Sequence, residues 1–424
     1  MIELTPVHSL DAVVTVPGSK SLTQRALIAA ALANGQSTLA GPLASEDTAR
    51  TMDALRLMGI DVDDSDPGKW KVQGKGGIIA EPEKDIYLGN NGTATRFLTS
   101  VAALGQGRFA VTGDERMASR PIGPLMHALR GWGVDIQSQA GTDCPPLIIK
   151  ASGLSGGKTV LTEGKSSQYL SSLLLVAPYA RQMAELEVQG EVLSLPYVKM
   201  TLSVMADFGI QAEVSPAFDF FRIPQGSYSA IDYTIEGDAS GASYFWAAAA
   251  VTGGSVTVAN VPVPSLQGDA DLVPLLARMG CDVSLKNGGI TVQGPELLHG
   301  IEVDMANMPD VVPTLAVVAA FAEGTTVISN IAHLRIKECD RLSAMVTELS
   351  KMGADVTEED DRMIIHGRAG GSNLHGAEIK TYEDHRIAMC FGVAGLRVAG
   401  VQIKDENCVV KSFPDFWSRF QEML

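Results

Sequence analysis

The sequence predicts an α/β protein of two similar domains, each built from three repeated units that alternate helix and strand. Its 424 residues are roughly two to three times the length of an ordinary domain. One phrase also recurs five times, as an amphipathic helix, a glycine and a short strand, with glycines spaced 74, 76, 71 and 73 residues apart. These glycines are Gly59, Gly133, Gly209, Gly280 and Gly353. Because glycine readily adopts the left-handed conformation that ends a helix, we expect each of them to be a helix terminator.

A second series of segments lies between these phrases. Stretches such as "ALIAAALANGQSTLA" and "WAAAAVTGGSVTVAN" predict a nearly wholly apolar helix that runs through a tight turn into a strand. A helix that is apolar on all sides must be buried. The turns lie near Gly35, Gly107, Arg181, Gly254, Gly324 and Gly400. Six units of about 70 residues account for the chain.

Six units divide most simply into two domains of three. We place the N-terminal domain at 18–235 and build the C-terminal domain from 1–17 plus 236–424, with a two-strand hinge between them. Residues 228–240 are expected to begin the second half. Ligands favour clefts between domains, so an interdomain active site is expected. The alternative is a rigid solenoid of six units without a cleft.

Composition excludes several classes of function. A formal charge of -16 argues against nucleic acid and anionic membranes as partners, so an anionic ligand needs a local basic pocket. The most apolar stretch, from Val311, is too short to cross a bilayer, and the first residues lack the features of a signal peptide. Five scattered cysteines without metal-ligand spacing suggest reduced thiols in a cytoplasmic protein. We expect no metal and no cofactor.

Basic residues of the first half gather where helices begin. In "GSKSLTQRAL", Lys20 stands at a helix start, and Ser21 and Arg25 share one helix face. Free N–H groups and the helix dipole favour an anion there. Taken alone, this could equally be a capping serine with two solvated cations.

Later repeats place further donors at equivalent points. "LGNNGTATRF" puts Asn90 and Gly92 in a turn before a helix that carries Arg96, and Arg120 directly precedes Pro121. Uncharged donors at further helix starts are Ser166, Ser167, Gln168, Ser194 and Tyr197.

The second half mixes the two signs of charge. Asp310 precedes an apolar helix, where it could simply be an N-cap. "HLRIKECDRLSAM" brings Lys337, Glu338 and Arg341, which could be a solvated helix face. Arg386 and Lys411 add two more cations. Asp310 and Glu338 among these cations could instead be a general base and a general acid. This set suits substrates with phosphate and carboxylate groups, reacting by direct transfer.

Taken together, the motifs resemble those of the 5-enolpyruvylshikimate-3-phosphate synthases. The similarity is carried by "PGSKS", "LGNNGTATR", "RPIG", "SSQYLSSLL", "EGDASGASYF", "RIKECDR" and "TYEDHRIAMCF", and it runs from Pro17 to the C-terminus. It implies two domains of three βαβαββ units, an inside-out α/β barrel arrangement. It also implies transfer of the enolpyruvyl group of phosphoenolpyruvate to the 5-hydroxyl of shikimate 3-phosphate. The reaction releases phosphate through a noncovalent tetrahedral intermediate and serves chorismate and aromatic amino acid biosynthesis.

The resemblance also implies residue roles. Shikimate 3-phosphate would be held by Lys20, Ser21, Arg25, Ser166, Ser167, Gln168, Ser194, Tyr197, Asp310 and Lys337. Phosphoenolpyruvate would be held by Lys20, Asn90, Gly92, Arg120, Gln168, Arg341, Arg386 and Lys411. Asp310 would take the proton of the 5-hydroxyl, and Glu338, with Lys20 or Lys411, would serve the methylene carbon. Lys20 and Arg25 would lack acidic partners because substrate oxyanions are their partners.

Three further expectations follow from the resemblance. A monomer is the usual assembly of the family. Gly92 implies sensitivity to glyphosate, although Phe97 departs from the bacterial pattern. His333 stands where some members have an asparagine that contacts shikimate 3-phosphate, and it is left out of the predicted set.

Two alternatives stay open at this point. The first is the sister enolpyruvyl transferase that uses UDP-N-acetylglucosamine, which generally carries a cysteine in the loop that here reads "GDERMASRPIG". The second is a repeat protein that binds an anionic partner without turnover.

Overall fold

The chain forms two compact units in the computed structural model, which describes residues 1–7, 10–162, 166–286 and 288–424. One unit is Lys20–Ile235, and the other joins Met1–Ser19 to Glu236–Leu424. Gly18 forms an isolated bridge with Gly237, and the Ser19 N–H donates to the Glu236 carbonyl over 2.8 Å. Both residues therefore belong with the second unit.

Helices and strands alternate through both units. The helices are α1 (Lys20–Leu32), α2 (Glu46–Leu57), α3 (Gly92–Ala102), α4 (Gly123–Gly131), α5 (Ser167–Val176), α6 (Leu195–Asp207), α7 (Ala239–Thr252), α8 (Leu272–Arg278), α9 (Val312–Ala320), α10 (Arg341–Lys351), α11 (His385–Gly395) and α12 (Phe416–Glu422). The strands are β1 (Ile2–Glu3), β2 (Asp11–Val14), β3 (Asn34–Ala40), β4 (Asp61–Asp63), β5 (Lys69–Lys75), β6 (Ile86–Tyr87), β7 (Gln106–Thr112), β8 (Asp135–Ser138), β9 (Leu147–Ser152), β10 (Gly157–Leu161), β11 (Ala184–Val188), β12 (Glu213–Val214), β13 (Phe220–Ile223), β14 (Asp232–Thr234), β15 (Ser255–Val258), β16 (Asp282–Lys286), β17 (Gly289–Gln293), β18 (Glu302–Asp304), β19 (Gly324–Ser329), β20 (Asp355–Glu358), β21 (Met363–Gly367), β22 (Glu378–Ile379) and β23 (Gln402–Ile403).

The 20–235 unit contains three mixed sheets around three buried helices. The sheet orders are β14-β3-β5-β4, β6-β7-β9-β8 and β10-β11-β13-β12, and each begins with a parallel pair. Helices α1, α3 and α5 are almost entirely buried and pack on one another. Strand β14 pairs with β3, with Asp232 opposite Thr38. The expectation that residues 228–240 begin the second half was therefore wrong for β14, which completes the first sheet of the first half.

The second unit repeats this plan. Its sheets have the orders β16-β17-β15-β2, β18-β19-β21-β20 and β1-β23-β22. Strand β2 of the N-terminal segment pairs in parallel with β15, with Asp11 opposite Ser255. Every residue of α7 is buried, as its apolar sequence predicts. Asp238 caps this helix by accepting a hydrogen bond of 3.0 Å from the Gly241 N–H.

The predicted α/β fold class is confirmed, with three helix-and-sheet repeats in each unit. All five glycines of the recurring phrase have φ between 84° and 110°, the left-handed region expected of helix terminators. Among the described residues the sheets stay separate and do not join into one closed barrel. The buried helices form the inside of each unit because their sequences leave no polar face for solvent.

None of the described helices has both the length and the apolar character that a bilayer crossing requires.

Candidate active site

The predicted site residues fall into two groups, one in each unit. The 20–235 unit carries Lys20, Ser21, Arg25, Asn90, Gly92, Arg120, Ser166, Ser167, Gln168, Ser194 and Tyr197. The second unit carries Asp310, Lys337, Glu338, Arg341, Arg386 and Lys411.

In the 20–235 unit these residues lie at the N-terminal ends of packed helices. Lys20 begins α1, Gly92 begins α3, and Ser166 caps α5, where its side chain accepts a hydrogen bond from the Gln168 N–H. The Gln168 side chain donates to Thr93 Oγ1 over 3.1 Å and so joins the start of α5 to the start of α3. Helix N-termini carry unsatisfied N–H groups and partial positive charge, so these ends together favour anions.

Lys20 has a carboxylate partner, contrary to the prediction. Its Nζ lies 3.1 Å from Asp47 Oδ2, and both side chains are largely buried. The Asp47 carbonyl accepts hydrogen bonds from Gln24 and, over 2.7 Å, from Asn91. The pair therefore orients the ammonium group while lowering the net charge of this helix end.

Arg25 is buried, and its hydrogen bonds go to neutral oxygens. Nε donates to Thr201 Oγ1 over 2.7 Å, and the terminal nitrogens donate to Ser171 Oγ and to the carbonyls of Ser21 and Tyr197. Burial lowers the pKa of Arg25 to about 10, which still leaves the guanidinium charged at neutral pH. The Tyr197 ring centre lies 5.9 Å from the guanidinium carbon. Arg25 is thus a fixed cation whose hydrogen bonds, among the described residues, go to neutral oxygens.

Ser194, another predicted donor of this group, directly precedes α6 and has a left-handed backbone conformation. Its φ is 56°, a region that side-chained residues rarely adopt. The residue is almost fully buried. The structure describes Ser194 as a constrained position in front of a helix N-terminus.

Arg120 lies against the turn that precedes α3. Its NH1 donates to Asn90 Oδ1 over 2.9 Å. A Cβ atom added to Gly92 would lie 2.5 Å from Arg120 NH2, a separation that carbon and nitrogen cannot adopt. Glycine at position 92 is therefore what allows the guanidinium to lie over the start of α3.

Two residues outside the predicted set hold the segment of Arg120 in place. Arg96 NH2 and the Tyr169 hydroxyl both donate to the Pro121 carbonyl, over 3.0 and 2.6 Å. Arg96 also donates to the Gly92 carbonyl over 3.1 Å. The arginine of the "TATR" motif is thus structural, and it ties both sides of the Arg120 site together.

In the second unit, arginines and carboxylates form one connected network. Asp310 Oδ1 accepts from Arg341 NH1 over 3.0 Å, and its Oδ2 accepts from Arg386 NH2 over 2.7 Å. Arg341 also donates over 2.8 Å to Glu338 Oε2 and over 2.7 Å to Asp384 Oδ2. Its side chain is 1% exposed, so these carboxylates largely balance its charge.

Lys411 extends this network. Its Nζ lies 3.9 Å from Glu338 Oε1, and both side chains are 12% exposed. Glu338 therefore lies between the side chains of Arg341 and Lys411.

The electrostatic environment shifts the pKa values of two carboxylates of this unit, Asp310 and Asp269, in opposite directions. Burial acts to raise the pKa of Asp310, but Arg386 and the neighbouring cations outweigh burial and hold that pKa well below its usual range. In contrast, burial raises the pKa of Asp269 to about 7, and the negative charge of Asp310 adds to the rise. Asp310 is therefore ionised at neutral pH.

His333 and Lys337 lie close to Asp310. Burial, followed by the charge of Lys337, lowers the pKa of His333 to about 4, so its ring is neutral at pH 7. Both ring nitrogens are buried without a hydrogen-bond partner among the described residues. The structure thus places a neutral imidazole, left out of the predicted set, beside two predicted site residues.

Comparison with known proteins shows the family to which the chain belongs. A family model described as EPSP synthase (3-phosphoshikimate 1-carboxyvinyltransferase) matches residues 4–420. The chain belongs to the EPSP synthase family. It is 42% identical over 418 residues to a 3-phosphoshikimate 1-carboxyvinyltransferase of Nostoc punctiforme, covering 98% of this chain and 97% of the relative. It is 43% identical over 426 residues to the Shewanella amazonensis protein of that name, covering 100% and 98%.

A solved structure agrees with these matches. The EPSP synthase of Acinetobacter baumannii aligns with a TM-score of 0.83 at 28% identity, over 99% of this chain and 97% of the other. The predicted family and the predicted class of enzyme, an enolpyruvyl transferase of the shikimate pathway, are confirmed. The relatives reported above are named for the shikimate reaction and not for the sister transferase that uses UDP-N-acetylglucosamine.

Sequence reasoning missed two carboxylates of this EPSP synthase family member. Asp384 is fully buried, holds Arg341 and caps α11 by accepting from the Arg386 N–H over 3.0 Å. Its place directly before a helix in "YEDHR" was an available N-cap signal. Asp47 stands 27 residues from Lys20 in the sequence, and no local pattern joins the two.

Proposed function

We propose that this chain transfers the enolpyruvyl group of phosphoenolpyruvate to the 5-hydroxyl of shikimate 3-phosphate and releases phosphate through a noncovalent tetrahedral intermediate. The observation that carries the residue roles is the ionised Asp310 held between Arg341 and Arg386, with Glu338 joined to the same network. Family membership supports the overall reaction. The proposed chemistry requires no nucleophilic side chain.

Asp310 is proposed as the base for the 5-hydroxyl. A carboxylate paired with two guanidinium groups is a weak base, because both cations favour its ionised form. Oxyanions of phosphoenolpyruvate that bind Arg341 and Arg386 would take over part of this pairing. The pKa of Asp310 would then rise, and it would become a stronger base when both substrates are present.

Glu338, with Lys20 or Lys411, is proposed to move the proton at the methylene carbon of phosphoenolpyruvate. Protonation of that carbon leaves positive character at C2. The 5-oxygen then bonds to C2 and gives its proton to Asp310. In the second half of the reaction the bond from C2 to the phosphate oxygen breaks, and a proton leaves the methyl carbon to restore the double bond. Fixed cations around the departing phosphate stabilise its growing charge.

The remaining predicted residues are proposed as substrate holders. Shikimate 3-phosphate would contact Lys20, Ser21, Arg25, Ser166, Ser167, Gln168, Ser194, Tyr197, Asp310 and Lys337. Phosphoenolpyruvate would contact Lys20, Asn90, Gly92, Arg120, Gln168, Arg341, Arg386 and Lys411. Support comes from the helix N-termini and cations of the 20–235 unit and from the exchangeable ion pairs of the second unit.

Phosphate release tests this proposal. The protein is mixed with phosphoenolpyruvate and either shikimate 3-phosphate or UDP-N-acetylglucosamine, and inorganic phosphate is measured. We expect release with shikimate 3-phosphate alone. Release with the nucleotide sugar alone would assign the sister activity, and ligand binding without release would favour the binding-protein alternative.

We further propose that the enzyme works as a monomer in the cytoplasm. All five cysteines are free, which suits a reducing compartment. Light scattering coupled to gel filtration would test the assembly, and a mass near twice the chain mass of 44.8 kDa would contradict it.

A further inference from the structure

The turn that precedes α11 contains two consecutive residues in the left-handed region. Tyr382 has φ 55° and Glu383 has φ 56°, and neither is glycine. Side-chained residues in this region are uncommon, and such conformations persist when the surrounding structure holds them. The following residue is Asp384, the buried carboxylate that binds Arg341. The conformation of this turn therefore sets the position of Asp384.

The buried carboxylate of Glu348, on α10, forms hydrogen bonds with this turn. Glu348 is 0% exposed, and its oxygens accept from the Tyr382 hydroxyl over 2.7 Å and from the Lys380 N–H over 3.1 Å. Lys351 Nζ completes the set at 2.7 Å from Oε2. A buried carboxylate is costly unless hydrogen bonds and opposite charge compensate it, and Glu348 has both.

The same face of α10 holds the turn at its other end. Arg341 and Glu348 are seven residues apart, two helical turns, and both are buried on one side of the helix. Glu348 contacts the turn at Lys380 and Tyr382, whereas Arg341 donates through Nε and NH2 to Asp384, over 2.7 and 3.3 Å. Helix α10 therefore binds the turn at two points, through Arg341 and through Glu348.

The turn held by α10 contacts two of the proposed phosphoenolpyruvate ligands, Arg341 and Arg386. Asp384 orients the Arg341 guanidinium, and its Oδ1 caps α11 at the Arg386 N–H over 3.0 Å. Loosening the turn would let both arginines lose their shared anchor. We propose that Glu348 and Tyr382 are positioning residues that hold Arg341 and Arg386 in the geometry needed to bind phosphoenolpyruvate. This inference rests on the proposed function.

The first test compares two single hydroxyl deletions. Tyr382→Phe removes the hydrogen bond to Glu348 and keeps the ring. The control is Tyr228→Phe in the 20–235 unit, where a tyrosine more deeply buried than the partly buried Tyr382 donates to the Leu175 carbonyl over 2.9 Å, away from any proposed site residue. Because small displacements of substrate-binding groups cost up to about 100-fold, we expect Tyr382→Phe to raise the KM for phosphoenolpyruvate at least ~10-fold. The Kd for shikimate 3-phosphate is expected to stay at the wild-type value in both variants.

A second pair of variants separates the hydrogen bonds of Glu348 to the turn from its ion pair with Lys351. Glu348→Gln keeps the shape but replaces the carboxylate that binds Tyr382 and Lys380. Lys351→Met removes the partially exposed cation and leaves both contacts to the turn in place. We expect Glu348→Gln to raise the same KM and Lys351→Met to leave it unchanged. This pair also decides the matter if Tyr382→Phe fails to fold.

The outcomes distinguish this inference from the proposed function. A wild-type protein that releases no phosphate with either acceptor contradicts the proposed function itself. An active wild type, with Tyr382→Phe and Tyr228→Phe that lower the melting temperature alike and share the wild-type KM, overturns the positioning role and leaves a purely structural contact.

Discussion

The two units hold the arginines of the predicted site in different ways, although Lys20 of the 20–235 unit also pairs with a carboxylate. In the 20–235 unit, Arg25 and Arg120 donate to neutral hydroxyl, amide and carbonyl oxygens. In the second unit, Arg341 and Arg386 donate to carboxylates, with Asp310 shared between them. A neutral partner positions a cation without cancelling its charge, whereas a carboxylate does both. In the proposed mechanism, the first arrangement would attract an anion directly, whereas in the second the anion would replace a carboxylate, which would then act as a base.

Removing the shared carboxylate should have the largest effect on this contrast. Asp310→Asn keeps the side-chain volume but removes the base, so we expect kcat to fall ~1,000-fold, within the usual contribution of general base catalysis. Affinity for phosphoenolpyruvate should be kept or increased, because one competitor for the two arginines has lost its charge. Steady-state kinetics and equilibrium binding measure both quantities. Turnover at the wild-type rate would remove Asp310 from the mechanism.

Removing a cation from the 20–235 unit should act on binding instead. Arg120→Ala would delete the proposed charge-assisted hydrogen bonds to phosphoenolpyruvate, and we expect the KM for phosphoenolpyruvate to rise about 10- to 100-fold. Circular dichroism should show an intact fold, since Arg96 and Tyr169 still hold the Pro121 segment. A KM equal to that of the wild type would show that the neutral-partner arrangement has no role in attracting this anion.

The neutral imidazole of His333 predicts how the stability of the protein depends on pH. The pKa of His333 is about 4 in the folded chain against an ordinary value of 6.5, so between these values the unfolded chain binds more protons. The contribution of neutral His333 to the free energy of unfolding is therefore complete above pH 6.5 and is lost as the pH falls towards 4. This single group should cost about 2 kcal/mol at pH 5 relative to pH 7. Urea unfolding of wild type and His333→Gln at both pH values measures the difference, and equal losses in the two proteins would exclude His333 as the cause.

The smallest expected effect comes from added volume beside Arg120. Gly92→Ala places a methyl group where the guanidinium lies, so Arg120 must shift from Asn90. We expect the KM for phosphoenolpyruvate to rise roughly 10-fold, with little change in the affinity for shikimate 3-phosphate. Gly190→Ala is a control, because a Cβ at that glycine meets nothing within 4 Å, although its φ of 82° adds some backbone strain. Similar kinetics in both variants would contradict the close contact.

The sequence by itself determined the local features of this protein. The periodic glycines predicted helix ends that the structure shows with positive φ. Apolar helices such as α7 predicted their own burial, because such sequences have no polar face for solvent. Lys20 and Ser166 were predicted at helix starts and Gly92 in a turn before a helix, since these signals lie within a few residues of each other.

Tertiary structure alone decided which distant groups meet. Asp310 pairs with arginines 31 and 76 residues away, and Lys20 pairs with Asp47. Strand β14 joins the sheet of the first repeat although it follows every other strand of that unit in the sequence. Periodicity specifies which face of an element is buried, but it does not name the element that covers that face. Partner choice depends on how the repeats pack, so ion pairs, pKa shifts and the division of labour between neutral and charged partners could be seen only in the folded chain.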